Sequence, residues 1–198
     1  MKTVLNIKSS LFQQQSQSSQ LSATLAQQLL GEQDQLVTRD LATEPVPHLT
    51  AERFTAFLTP AADRTPEQQA VVAYSDALID ELRAADVIVL GLPMYNFGVP
   101  STLKAYFDHV ARAGVTFQYT AEGPKGLLTG KKVYVLATRG GNYQGTPADT
   151  QTSYVRLFLN FIGITDVEFV YAEGLALGEA HKTQALEKAN AAILELAA

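Results

Sequence analysis

GLPMYNFGVPSTLKAYFDHVAR, residues 91–112, decides how the chain folds. It follows the apolar run of residues 87–90, crosses Met94, Tyr95, Asn96 and Phe97, and enters a new pattern through Gly98, Pro100 and Ser101. Leu103, Phe107 and Val110 then recur at helical spacing, so the stretch reads as strand, loop, helix. A methionine and two aromatics occupy the connection, where water normally selects small polar residues.

The same unit repeats on either side. Short β-rich runs at residues 3–7, 36–38, 87–90, 133–137 and 167–171 read as five strands. Helical periodicities separate and follow them: Leu21, Leu25 and Leu29, closed by Gly31; Val71, Leu78 and Leu82; Leu103, Phe107 and Val110; Tyr154, Phe158 and Phe161, closed by Gly163; and Leu186, Ile193 and Leu196. Such alternation specifies an α/β fold in which helices cover both faces of a parallel sheet. Thr65-Pro66-Glu67-Gln68 is a capping box with proline at the first helical position, which fixes the start of the second helix. Residues 42–64 are the least regular, with a short helix expected over Ala51–Leu58, and an insertion of this length usually serves as a functional loop or a partner surface. With no repeat and no linker, 198 residues are expected to form a single domain, 1–198.

Charge and composition narrow the function. A formal net charge of −5 gives no basic surface for nucleic acid or an anionic membrane. No cysteine is present, which excludes disulfides, dithiol catalysis, thiolate zinc sites and iron–sulfur ligation. Redox chemistry would therefore need a bound cofactor. No run of 18 apolar residues occurs and the apolar start is broken by Lys8, so a cytoplasmic protein is expected. His48, His109 and His181 show no metal-ligand spacing and read as surface or packing residues, so no metal is expected.

In open parallel sheets, ligands bind beyond the carboxyl ends of the strands, where strand order reverses. The loop after the first strand, KSSLFQQQSQSSQL at residues 8–21, has neither GxGxxG nor GxxxxGK[ST]. It offers Ser9, Ser10, Ser16, Ser18 and Ser19 with Gln17 just before a helix, a set that can hold a phosphate without a cation or simply cap the helix. Met94, Tyr95, Asn96 and Phe97 would meet a flat apolar ligand, or plug the end of the sheet or an oligomer contact. Thr138-Arg139-Gly140-Gly141 ends the fourth strand, where paired glycines let the backbone approach a ligand or make a tight turn. Arg139 would meet a ligand carbonyl or an acidic neighbour. A phosphate, a tail and a flat heteroaromatic head fit the three loops, and flavin mononucleotide (FMN) has that form.

The chain resembles the bacterial FMN-dependent NADH azoreductases, also described as NADH:quinone oxidoreductases. KSS and SQS within residues 8–18, PMYNFGVPSTLKAYFDHVARAGVTFQYTAEGPKGLL at 93–128 and TRGG at 138–141 carry the resemblance, supported by GITDVEFVYAEGL at 163–175. It implies a flavodoxin-like three-layer sandwich with a five-stranded parallel sheet of order 2-1-3-4-5. It also implies one tightly bound FMN per subunit in a homodimer with sites at the subunit interface. The implied activity is ping-pong transfer of two electrons from NADH to quinones or aromatic azo compounds.

Position by position, Ser10, Ser16, Gln17 and Ser18 would hold the phosphate. Met94, Tyr95, Asn96 and Phe97 would flank the ribityl chain and isoalloxazine, and Thr138, Arg139, Gly140 and Gly141 would line the pyrimidine side. Position 138 is often serine in the family, and threonine keeps the hydroxyl. Asn96 and the Gly140 and Gly141 N–H groups are expected to tune the flavin, and a Cβ at Gly141 to obstruct the backbone approach. No side chain is expected to be catalytic in its own right. Phe117, Tyr119, Tyr143 and Phe161 are expected to wall the substrate pocket, Phe117, Tyr119 and Phe161 either within the chain or across the dimer, and Tyr143 standing where some members carry histidine; for Phe161, on a stripe with Tyr154 and Phe158, core or interface packing is the alternative. An electron carrier of the flavodoxin type and a flavin-free binding module are the competing expectations. The insertion at 42–64 and the loop at 114–128 speak against the carrier.

Overall fold

In the computed structural model, β1 (Thr3–Lys8) is an interior strand of the sheet: Val4, Leu5 and Ile7 are all buried, as a strand covered on both faces requires. The structure describes residues 1–197; Ala198, the last residue of the expected domain, lies outside the described residues. β1 pairs in parallel with β2 (Gln35–Asp40) and β3 (Val87–Pro93). β3 pairs with β6 (Lys132–Thr138), and β6 with β7 (Asp166–Ala172), all in parallel. Between β3 and β6 the chain forms an antiparallel hairpin, β4 (Phe117–Thr120) and β5 (Gly123–Gly126).

The sheet order is therefore β2-β1-β3-β6-β7, not 2-1-3-4-5. The five expected sheet strands are present, but the hairpin, expected as a loop, adds two strands to the count. GPKG has no intrinsic strand character, and it is extended only because Phe117 to Thr120 pair with it.

α1 (Gln17–Gln28) and α6 (Glu179–Ala197) cover one face of the sheet, packing Leu21, Leu25 and Ile193 against Val4, Val89 and Val170. α3 (Pro66–Ala84), α4 (Ser101–Val110) and α5 (Thr150–Ile162) cover the other through Leu78, Phe107 and Leu159. α3 begins at the Thr65 capping box as expected, though its buried stripe runs through Val72 rather than Val71. α2 (Ala51–Leu58) occupies the 42–64 insertion, its first turn capped by the Thr50 side chain. Among the described residues, no helix is long and apolar enough to cross a membrane.

Two close approaches set the geometry of the sheet ends. A Cβ on Gly91 would lie 2.8 Å from the Ser18 carbonyl, so glycine there lets the first turn of α1 sit directly on β3. A Cβ on Gly126 would lie 2.0 Å from the Gly163 nitrogen, so glycine there seats the hairpin against the end of α5. Gly163 itself closes α5 at φ 107°, a left-handed position that glycine adopts without strain.

Candidate functional site

The loops after β1, β3 and β6 are joined at the carboxyl edge of the sheet, beside the point where strand order reverses between β1 and β3. The Ser10 hydroxyl lies 2.9 Å from the Tyr95 hydroxyl, and Ser9 Oγ donates to the Gly91 carbonyl at 2.7 Å. The Met94 N–H donates to the Thr138 carbonyl at 3.0 Å, and the Phe97 and Tyr143 rings meet edge to face at 5.6 Å. A groove of about 500 Å³ opens beside Phe97, between the first turns of α4 and α5, with His48, Val99 and Tyr154 among its walls.

The start of α1 is arranged to receive an anion. Ser16 occupies the N-cap position, yet its hydroxyl makes no cap and instead lies 2.9 Å from the Ser18 hydroxyl. Among the described residues, the Gln17, Ser18 and Ser19 amides meet no acceptor, no acidic side chain sits in the first turn, and the buried Ser19 hydroxyl has no partner. Uncapped amides at a helix amino terminus bind negative charge.

Residues 95–98 form a tight turn closed by Tyr95 N–H to Gly98 O at 3.1 Å and Gly98 N–H to Tyr95 O at 2.9 Å. Its central residues, Asn96 and Phe97, adopt φ 50° and 60°. Asparagine tolerates that left-handed region, whereas a phenylalanine there is strained. Phe97 nevertheless points outward and is 56% exposed, so the strain holds an aromatic ring at the surface instead of filling the core.

The glycine pair follows β6. Among the described residues, the Gly140 and Gly141 N–H groups donate to no protein acceptor, while their carbonyls accept from Ala176 and Gly174 at 3.0 and 3.1 Å. Gly141 also has a close neighbour within the chain. A Cβ there would meet the Tyr143 ring at 2.8 Å, so glycine makes room for Tyr143.

Arg139 is fully buried. It donates to Asp149 at 2.7 Å, to Thr152 at 3.1 Å and to Glu173 at 3.0 Å, and lies 5.1 Å over the Tyr171 ring. Asp149 and Glu173 are the acidic neighbours expected for it. Glu173 also accepts from the Tyr143 and Gln144 amides, so this cluster ties the loop after β6 to β7 and to the start of α5. Burial pushes the Asp149 carboxyl up, but the hydrogen bonds from Arg139 and Thr152 outweigh it and hold the group below its ordinary value. Arg139, Asp149 and Glu173 thus fix position, with none left over as a free acid.

Within one chain, Phe117, Tyr119 and Phe161 stand away from these loops. Phe117 and Phe161 pack at 4.2 Å, with Tyr119 at 5.5 Å from Phe117, beside the hairpin at the far end of α5. α5 begins at the site, where Thr150 Oγ1 donates to the Phe97 carbonyl, and its 13 residues carry it to the opposite end of the sheet. The separation is on the order of 20 Å at 1.5 Å per residue. Tyr143 alone of the four expected walls stands by the loops. His109 is buried on α4 between the Phe57 and Tyr74 rings, away from the site.

Gln151 was not anticipated. It is buried in the first turn of α5, and its amide nitrogen donates to both the Pro93 and Gly98 carbonyls at 2.9 Å. A lone glutamine on a helical pattern carries no signal of such a contact.

A family model described as a flavodoxin-like fold matches residues 2–197. The chain is 57% identical over 192 residues to an FMN-dependent NADH:quinone oxidoreductase of Cellvibrio japonicus (strain Ueda107), covering 96% of each. It is 56% identical to the protein of the same name from Alcanivorax borkumensis, over 96% of this chain and 98% of that one. Among solved structures, it matches the FMN-dependent NADH-azoreductase from Bacillus anthracis str. Ames Ancestor in complex with FMN at a TM-score of 0.87 and 25% identity, over the full length of both. An azoreductase from Bacillus anthracis str. Sterne matches at a TM-score of 0.86 and 29% identity, over 100% of this chain and 99% of that one.

Proposed function

The chain belongs to the flavodoxin-like family of FMN-dependent NADH:quinone oxidoreductases, and from that premise we propose that it binds FMN across the joined loops and reduces quinones and aromatic azo compounds with NADH. We read residues 1–198 as one domain. The observation that carries the proposal is the pairing of unused donors: open amides and hydroxyls at the start of α1 on one side, and the Gly140 and Gly141 N–H groups on the other. A ligand with an anionic end and a hydrogen-bonding flat head satisfies both.

In this reading Ser10, Ser16, Gln17 and Ser18 hold the phosphate, and the helix dipole favours its charge without any cation. Met94, Tyr95, Asn96 and Phe97 flank the tail and rings. Thr138, Gly140 and Gly141 face the pyrimidine edge, and Arg139 serves by fixing that loop. When bound, FMN would supply the two-electron redox chemistry that couples oxidation of NADH to reduction of the acceptor in alternate half-reactions. The Gly140 and Gly141 N–H groups are aimed donors of the kind that stabilise developing negative charge. Tyr143 and Phe97 present aromatic surface to a flat substrate, and such a wall tolerates many acceptors.

The distance of Phe117, Tyr119 and Phe161 from these loops suits a homodimer, in which those residues wall the site of the other copy. Tyr119 is 76% exposed and Leu157 70% exposed, and Leu157 lies beside Tyr154, Phe158 and Phe161 around an open apolar groove of about 290 Å³. Exposed apolar surface of this kind calls for a partner.

Purified protein supplied with FMN, NADH and a benzoquinone, with no other protein, tests the proposal. NADH oxidation that depends on both FMN and the quinone supports it. A protein that binds FMN but does not oxidise NADH would make it a carrier.

A further inference from the structure

We propose that Gln151 is a positioning residue: its amide clasps the two ends of the 93–98 loop and holds Phe97 in its left-handed conformation, so that the ring stands as a fixed wall for the acceptor. This deepens the quinone-reductase reading and rests on it. The two carbonyls that Gln151 reaches, Pro93 O and Gly98 O at 2.9 Å, belong to the residues where the chain leaves β3 and where the tight turn closes. Both acceptors are carbonyls, so only the amide nitrogen can face them. The adjacent Thr150 donates to the Phe97 carbonyl, so consecutive residues in the first turn of α5 hold the end, the centre and the closure of one loop.

This bracing answers a need that packing does not create. Phe97 carries φ 60° with a ring 56% exposed, and glycine would adopt the same backbone without strain. A phenylalanine kept there under strain, with its ring on Tyr143 at 5.6 Å, is held for what the ring presents. Gln151 meets a further cost, since its buried side-chain oxygen has no partner among the described residues. An apolar residue of similar size would fill the space without that cost, so it is the donor that the position uses. The groove beside Phe97 also includes Gly98 and Thr150, so a shift of the loop reshapes the surface that a flat acceptor would meet.

The test is a cycle of Gln151→Leu, Phe97→Gly and the double variant, each measured for quinone KM, for FMN Kd in the apoprotein, and for melting temperature. Gln151→Leu is expected to raise the quinone KM roughly tenfold, since small misplacements of a positioning wall cost that much or more. FMN Kd should rise by a smaller factor than KM, since Met94, Tyr95 and Asn96 of the same loop flank the flavin in this reading. In the Phe97→Gly background, where nothing strained remains to be held, Gln151→Leu should add nothing to KM.

A second measurement needs neither cofactor nor turnover. Fluorine NMR of apoprotein carrying 4-fluorophenylalanine should give a dispersed Phe97 signal, assigned by its loss in Phe97→Gly, that averages in Gln151→Leu. An unchanged KM, a KM increase that persists undiminished in the Phe97→Gly background, or loss of FMN and of melting temperature in step with KM would overturn the proposal. So would a Phe97 signal that Gln151→Leu leaves unmoved. A wild-type protein that binds no FMN would sink the functional reading, while the NMR arm would still report on the clasp.

Discussion

Ser10 Oγ and Tyr95 Oη lie 2.9 Å apart, a hydrogen bond between groups 85 positions apart in the chain that fastens the serine loop to the aromatic one. Each loop alone reads as solvation or as a plug; fastened together they enclose one edge of the sheet, which is where a single ligand could touch both.

Tyr95→Phe removes that fastening and keeps the ring. A hydrogen bond of this kind contributes about 0.5–1.5 kcal/mol to the apoprotein, where it is already made, so its melting temperature should fall modestly, and the FMN Kd should rise, by at most about tenfold, to the extent that the ligand must then order the loosened loops. Fluorescence titration of apoprotein with FMN measures it, and an unaltered Kd would separate the two loops functionally.

Arg139→Met should be among the most damaging substitutions in the chain. It leaves Asp149 and Glu173, whose side chains are 8% and 13% exposed, facing each other without a cation. Breaking a buried pair in this way costs about 3–5 kcal/mol. Urea unfolding would show it, and a loss below about 1 kcal/mol would mean that water already screens the cluster.

How much of this was readable beforehand follows from the range of each interaction. The five sheet strands and the helices announce themselves through local periodicity, and the Thr65 capping box needs only four adjacent residues. The hairpin was not legible, because GPKG becomes a strand only by pairing with Phe117 to Thr120. The loops that form the candidate site could be located from topology, yet their internal bracing could not. Arg139 finds Glu173 34 positions away and Gln151 finds Pro93 58 positions away, and neither spacing leaves a mark on the sequence. For Phe117 and Phe161, aromatic character alone does not say whether a wall is built within the chain or across a dimer, and only the run of α5 shows which end of the sheet they occupy.

Acid should weaken the fold through His109. Its Nδ1 lies 2.9 Å from the Ala105 carbonyl, its buried Nε2 has no partner among the described residues, and burial pushes its pKa down. The charged groups nearest to it are Arg53, which opposes protonation, and Asp108, which favours it. The unfolded chain therefore takes up the proton first: stability is complete above pH of about 6.5 and falls as pH drops below it, by at most about 1.4 kcal/mol per unit for one proton. Urea midpoints between pH 7.5 and 5.5 should fall in the wild type and flatten in His109→Gln, which keeps a donor for the Ala105 carbonyl. Equal slopes in both would assign the effect elsewhere.

Leu157→Glu places a charge on the exposed apolar ridge of α5 without touching the loops at the other end of the sheet. Light scattering should show the wild type as a dimer and the variant shifted toward monomer, with quinone turnover lost in proportion. A fully active monomer would mean that one chain builds the whole site.

The most direct test of the central claim is a crystal structure of the protein soaked with FMN. The account predicts density along the carboxyl edge of the sheet, with the phosphate on the open amides and hydroxyls at Ser16 to Ser18 and the ring edge within hydrogen-bonding distance of the Gly140 and Gly141 amides. Flavin bound anywhere else, or bound with its phosphate away from the start of α1, would contradict it.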